Sequence, residues 1–219
     1  MTRGARPRPS RALAALEGVH ADIRALRLPG FAGPPVHCPA MQSRIYLLGQ
    51  APGRHEARLG RPFAWRAGRT LFSWFERATG ASEEEVRARV YMAAVVRCFP
   101  GKAPGGGDRV PSAAEIAACR GFIAREVEAL RPRLVLPVGR LAIREVLGHD
   151  EPIAEVVGTV RSAHFHGRDV DVIALPHPSG ASTWFKLEPG RTLLERALRE
   201  LSRHPEVRRA FGGRRRVKP

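Results

Sequence analysis

The sequence predicts a single α/β domain, built as three α/β/α layers around a central, mostly parallel four-stranded sheet. Three observations lead there. Short apolar runs alternate with amphipathic helical stretches, the pattern of a parallel sheet covered by helices on both faces. A chain of 219 residues, 43% of them hydrophobic, can bury one sizeable core and does not require two. No internal repeat marks off a second domain.

In chain order, Ser10 can cap a helix running to about Leu26, with Leu13, Leu16, His20, Ile23 and Leu26 near helical spacing. A loop rich in proline and glycine covers 29–39. The first strand spans 44–49 and the helix after it 70–79, carrying Leu71, Trp74 and Phe75. Ser82 with Glu85 three residues on is a capping box for a short helix. A second strand is expected over 90–97 and a glycine-bearing loop over 99–111. A long helix follows over 112–130, with an apolar stripe of Ile116, Phe122, Ile123, Val127 and Leu130. The third strand covers 133–138, a helix 140–147, the fourth strand 170–175 and the closing helix 193–201. His164 and His166 alternate along a possible strand edge and read best as a solvated pair. The segments 1–12 and 204–219 read as a disordered basic arm and a disordered basic tail.

Charge narrows the partner. Lys and Arg total 37 against 21 acidic residues, a formal net charge of +16. Such an excess suits a polyanion, nucleic acid first, although an arginine- and alanine-rich composition also arises from genomic base bias. No apolar run approaches the ~20 residues that span a bilayer, so no membrane partner is expected. Three cysteines make no disulfide framework, and no secretory segment is seen, so a cytoplasmic location is expected; the chain is also expected to be a monomer. Gly105–Gly107 lacks the Lys-Ser/Thr ending of a phosphate loop and reads as a loop that touches DNA.

Two stretches carry chemical interest, at the ends of different strands. The run at 45–48 ends in Gly49-Gln50-Ala51-Pro52-Gly53, a turn that continues neither strand nor helix. Glycines there let a ligand approach the backbone, and strand carboxyl ends are where open α/β sheets bind ligands. Pro62-Phe63 then puts a ring where it can wall a slot for a flat molecule. An ordinary strand-to-helix connection with a core phenylalanine fits the same residues. His177 follows the fourth strand between Pro176 and Pro178, which hold its backbone in one direction.

Taken together, GQAPGRHEARLGRPFAWRAGRTL (49–71) and HPSGAS (177–182) resemble the two motifs of the uracil-DNA glycosylase superfamily. VYMAAVVRCFPG and PSAAEIAACRGFIAREVEALRPRLVLPVG between them are similar to the central region of its iron–sulfur, family 4 branch. The resemblance covers about 45–201 and implies a glycosylase-like domain over 13–203. It implies base excision repair: a monofunctional DNA glycosylase that flips a nucleotide out of single- or double-stranded DNA and hydrolyses its N-glycosidic bond. The base removed would be uracil or another deaminated base. His177 would donate to the pyrimidine oxygen that gains charge, and Gln50 would position the water. Gly49, Ala51, Pro52, Gly53, Phe63, Ala94 and Ser179 would hold the base. Arg61, Lys102 and Ser182 would grip phosphates.

Four departures qualify that picture. Gln50 stands where the branch has glutamate and cannot take a proton from water. Ala94 replaces a base-reading asparagine. Ala181 replaces the wedging leucine, leaving Phe99, Trp184 or Phe185 as substitutes. Cys98 and Cys119 match two ligands of the branch's [4Fe–4S] cluster, but the N-terminal pair has no counterpart; Cys38 could add a third thiolate. Four ligands are the norm, so the expectation is no cofactor. The alternative functional reading is an excision-deficient binder of damaged or abasic DNA, and a third is a doubly wound protein for a small nucleotide or phosphate ligand.

Overall fold

The computed structural model describes residues 10–180 and 182–212. Five strands, β1 (Ile45–Gly49), β2 (Tyr91–Ala94), β3 (Leu134–Pro137), β4 (Val160–Phe165) and β5 (Arg168–Ile173), form one sheet in the order β2-β1-β3-β5-β4. Every pairing is parallel except that of β4, which runs antiparallel to β5 at the edge. β1 is buried at every position, which is why it reads as an unbroken apolar run.

The fifth strand corrects the four-stranded expectation. β4 alternates exposed and half-buried positions until Phe165, so no apolar run announces it. It turns into β5 through His166 and Gly167, both at positive φ, the two-residue hairpin geometry that matches strand twist. His164 lies on this edge, with Nδ1 2.9 Å from Asp169 Oδ1 across the hairpin.

Nine helices are found among the described residues: α1 (Arg11–Ala25), α2 (Arg54–Leu59), α3 (Arg66–Thr79), α4 (Glu83–Arg87), α5 (Ala113–Leu130), α6 (Arg140–Leu147), α7 (Ile153–Val156), α8 (Gly190–Arg203) and α9 (Pro205–Phe211). Ser10 caps α1 by accepting from Leu13 N–H, and capping boxes open α4 at Ser82 and α5 at Ser112. α1 packs with α5, and α3 with α8, making the two helical layers. β2 ends at Ala94, and 95–98 bend away instead of extending the strand to 97.

Both terminal readings change. The helix starts at Arg11, inside the expected arm, while 1–9 lie outside the described residues. Residues 205–211 form α9, not a disordered tail. Basic residues mask an apolar face there: Val207 and Phe211 are buried, and His204 Nδ1 accepts from Glu206 N–H at 3.2 Å to start the turn. Residues 213–219 lie outside the described residues.

The topology fixes where a ligand can sit. From β1 the chain moves outward to β2 on one side, then returns to β3 on the other. A crevice opens at such a reversal, beyond the strands' carboxyl ends. β1 and β2 deliver their last residues, Gly49 and Ala94, to it, and β3 the residue that follows it, Val138.

Candidate functional site

The turn after β1 and the turn after β5 face each other across one cleft of about 630 Å³ at this reversal. Its walls include Gly49 to Gly53, Phe63, Ala94, Lys102, His177 and Ser179. Val138 at the end of β3 forms a bridge to Leu175, and Gly139 N–H donates to Leu175 O at 2.9 Å. This pairing extends β5 just far enough to aim His177 inward. A Cβ on Gly139 would lie 3.0 Å from His177 Cδ2, and its φ is +84°, so glycine is required twice over.

Ser179 N–H donates to His177 Nδ1 at 3.3 Å. With Nδ1 accepting, the neutral ring carries its proton on Nε2. Burial pulls the imidazole pKa below the ordinary histidine value, with Asp108 opposing. His177 is therefore an uncharged N–H donor at neutral pH, and the Ser179 amide serves the histidine instead of a ligand.

Phe63 is a wall, held by contacts the motif alone did not reveal. Its φ of 53° is left-handed, which a bulky residue adopts only when its surroundings enforce it. Arg87 donates to the carbonyls of Pro62 and Phe63, both at 2.9 Å. On the far side, a Cβ on Gly68 would sit 1.7 Å from the Phe63 carbonyl oxygen, closing that position to any side chain. The ring rests on β1's end, with Cζ 2.9 Å from where a Gly49 Cβ would stand.

The Gly49–Gly53 turn offers fewer amides than the sequence suggests. Pro52 has no N–H, and Gly53 N–H donates to Glu56 Oε2 at 3.0 Å. At most the amides of Gln50 and Ala51 can face a ligand. Glu56, which is not among the expected site residues, lies in the cleft wall and is buried. Burial pushes its pKa up to about 7, the Gly53 amide lowers it and Asp108 raises it further. The unfolded chain gives up this proton near the ordinary value of 4.5, so between that pH and 7 the folded form holds more protons. Stability thus falls as pH rises through this window, by roughly 3 kcal/mol in all. Glu56→Gln is expected to flatten the decline, as read by melting temperature at several pH values across the window.

The expected wedge residues do not reach the cleft. Phe99 is buried against Val36 and Ala57, and Phe185 meets Trp74 edge-on at 5.2 Å. Trp184 presses on Gly190, and Ala181 lies outside the described residues. Trp65 does line the cleft, 43% exposed and stacked on His55 with ring centroids 4.3 Å apart. Arg54 and Arg66 share that wall. Arg61 is exposed and Ser182 half-buried, and neither is part of the cleft wall.

The three cysteines do not gather into a ligand set. The Cys119 thiol acts on Cys98, whereas Cys119 itself responds to Arg97 and Glu115, and Cys38 to Met92, Glu126 and Arg97. Burial pushes Cys38 up to about 12 and Cys98 up to about 11, which disfavours thiolates. Among the described residues no group of three or more His, Cys, Asp or Glu could hold a metal ion. The residues present do not fit a four-thiolate cluster.

A mostly parallel sheet with its cleft at the strands' carboxyl ends, walled by an aromatic ring and faced by a neutral histidine donor, defines an α/β protein whose cleft has the shape and polarity for a flat, hydrogen-bonding group. A sequence model of the uracil DNA glycosylase superfamily matches residues 35–202, so the chain belongs to that superfamily. It is 31% identical to the type-4 uracil-DNA glycosylase of Archaeoglobus fulgidus over 142 residues, 63% of this chain and 66% of that protein. Identity to the type-4 enzyme of Saccharolobus solfataricus is 28% over 144 residues, 64% and 62% of the two chains. The type-5 uracil-DNA glycosylase of Pyrobaculum aerophilum is 31% identical over 155 residues, again 64% and 62%. The chain thus spans about two thirds of the length of these three relatives or slightly less. No helix among the described residues is long and apolar enough to cross a membrane.

Proposed function

We propose that this protein is a monofunctional DNA glycosylase that removes uracil or another deaminated base by hydrolysing its N-glycosidic bond, and that it acts in the cytoplasm. One observation carries the reading: the Gly49 turn and the His177 turn, remote in sequence, line a single cleft. In the reaction the sugar becomes oxocarbenium-like and the base departs as an anion. Rate then depends on donors fixed where that negative charge develops. His177 Nε2–H supplies one, Phe63 stacks on the extruded ring, and Gln50 with the turn amides positions the water. Arg54, Arg66 and Lys102 along the cleft suit the phosphates on either side without reading sequence.

The experiment offers oligonucleotides containing uracil, hypoxanthine or xanthine, followed by alkaline cleavage of abasic sites. Strand breaks support the glycosylase. Tight binding without breaks supports the binder of damaged DNA, the reading that Gln50 and Ala94 favour. Salt-independent behaviour with no DNA affinity removes both.

The Trp65–His55 stack is the exposed aromatic surface of the cleft wall, and it suits a base next to the extruded one. Base–aromatic stacking is worth ~1–3 kcal/mol by alanine substitution. Trp65→Ala is therefore expected to weaken single-stranded oligonucleotide binding about tenfold or more. Fluorescence anisotropy of a labelled oligonucleotide checks this, and quenching of indole emission on binding should fall in the variant.

A further inference from the structure

Gln50 leaves the cleft without a proton acceptor in the motif turn, yet a carboxylate enters from another element. Residues 101–109 form a small hairpin. Lys102 and Asp108 pair across it, Ala103 N–H donates to Gly107 O at 2.9 Å, and Arg109 N–H to Gly101 O at 2.9 Å. Arg109 anchors its base to Glu115 through two hydrogen bonds at 2.9 and 2.7 Å. The hairpin thereby lays Lys102, Gly106, Gly107 and Asp108 along the cleft. Lys102 Nζ donates to Asp108 Oδ1 at 2.6 Å. Oδ2 takes no hydrogen bond among the described residues and lies 3.5 Å from where a Gly53 Cβ would stand. The carboxylate lines the same cleft as Gly53, Glu56 and His177, and its charge raises the pKa of both Glu56 and His177.

We infer that Asp108 is a catalytic residue: its Oδ2 accepts the proton of the attacking water that Gln50 positions. The inference rests on the glycosylase reading and goes beyond it by naming the base. As the C1′–N bond breaks, its electron pair leaves with the nucleobase and C1′ becomes electron-poor. The water oxygen bonds to C1′, and the proton it sheds passes to Oδ2 and from there to solvent or the departed base. Until then, the negative charge of Asp108 also favours the positive sugar. Lys102 holds the other oxygen, which fixes the carboxylate's direction without consuming the lone pairs on Oδ2.

The test is single-turnover cleavage of a uracil oligonucleotide, with affinity measured separately by anisotropy. Asp108→Asn keeps the side chain's shape and an acceptor for Lys102. It should cleave about 10²-fold more slowly while binding DNA as tightly as the wild type, or more tightly. Adding Gln50→Glu to that variant should return at least part of the lost rate, which a merely structural aspartate would not permit. Asp108→Glu should retain more activity than Asp108→Asn. A wild-type rate in Asp108→Asn overturns the inference and leaves the glycosylase reading standing. So does a loss of rate and affinity together that Gln50→Glu does not relieve. A wild-type protein that cleaves none of the deaminated bases overturns both.

Discussion

His177→Ala is expected to lose base release by about 10²–10³-fold, the usual effect of deleting one preorganised donor to a developing oxyanion. The donor works because it is fixed in advance. Pro176 and Pro178 restrict its backbone, Gly139 lets the ring lie against β3's end, and Ser179 N–H holds Nδ1. None of these contacts must be made during the reaction, so no reorganisation is charged against the transition state. Binding should change little, because the ring meets the base most strongly once charge has moved onto it. The pH profile adds an independent reading. With its pKa held below the ordinary value of 6.5 by burial, the ring stays neutral to lower pH than an exposed histidine does. Further acidification adds a proton at Nδ1, which cancels the acceptor for Ser179 N–H and releases the turn. Activity attributable to His177 is therefore expected to fall at lower pH than the titration of an ordinary histidine would dictate. Single-turnover rates of wild type and variant between pH 5 and 8 test both expectations; a variant as fast as the wild type removes His177 from the chemistry.

Much of the architecture is legible in the sequence because its signals are local. Ser82 and Ser112 announce helix starts through glutamates three residues on, and the parallel strands read as apolar runs because both faces are covered. β4 and α9 escape for the same reason reversed: one face of each is solvated, and arginines or histidines interrupt the pattern. In the cleft, the two motif turns are legible because glycine and proline restrict backbone choices. The parts that position them are not. Arg87 reaches Phe63 from another helix, Glu56 turns back on Gly53, and Asp108 arrives on a hairpin whose course no periodicity describes. Trp65 is not legible in the sequence because exposure, not identity, makes it notable, and exposure follows from tertiary packing.

A second large effect is expected far from any base, at Glu126. Arg97 is fully buried, and its only hydrogen-bonded ion pair among the described residues runs from Nη2 to Glu126 Oε2 at 2.8 Å; Nε and Nη1 have no partner there. The same carboxylate accepts from Tyr46 OH at 2.5 Å and Tyr91 OH at 2.9 Å. Burial works against the guanidinium charge, and Glu126 together with Tyr46 and Tyr91 more than offsets it. Glu126→Ala would strand that charge and orphan the Tyr46 hydroxyl, while Tyr91 OH keeps His20 Nε2 at 2.8 Å, a loss of about 3–5 kcal/mol for breaking a buried pair from one side. Removing the pair together should cost much less, because a desolvated ion pair contributes little net stability. Arg97→Met with Glu126→Gln, which keeps an acceptor for the tyrosines, is thus expected to be more stable than Glu126→Ala. Urea midpoints at constant m-value measure the difference; a Glu126→Ala variant within ~1 kcal/mol of wild type, the ordinary range for point substitutions, would show the pair to be dispensable. The effect should carry to the cleft. Arg97 lies in the segment that leaves β2, where Val95 and Val96 N–H donate to Gly49 and Gln50 carbonyls at 2.9 and 3.2 Å. Loosening that segment frees the floor of the motif turn, so catalysis in Glu126→Ala should fail at temperatures where the sheet still holds.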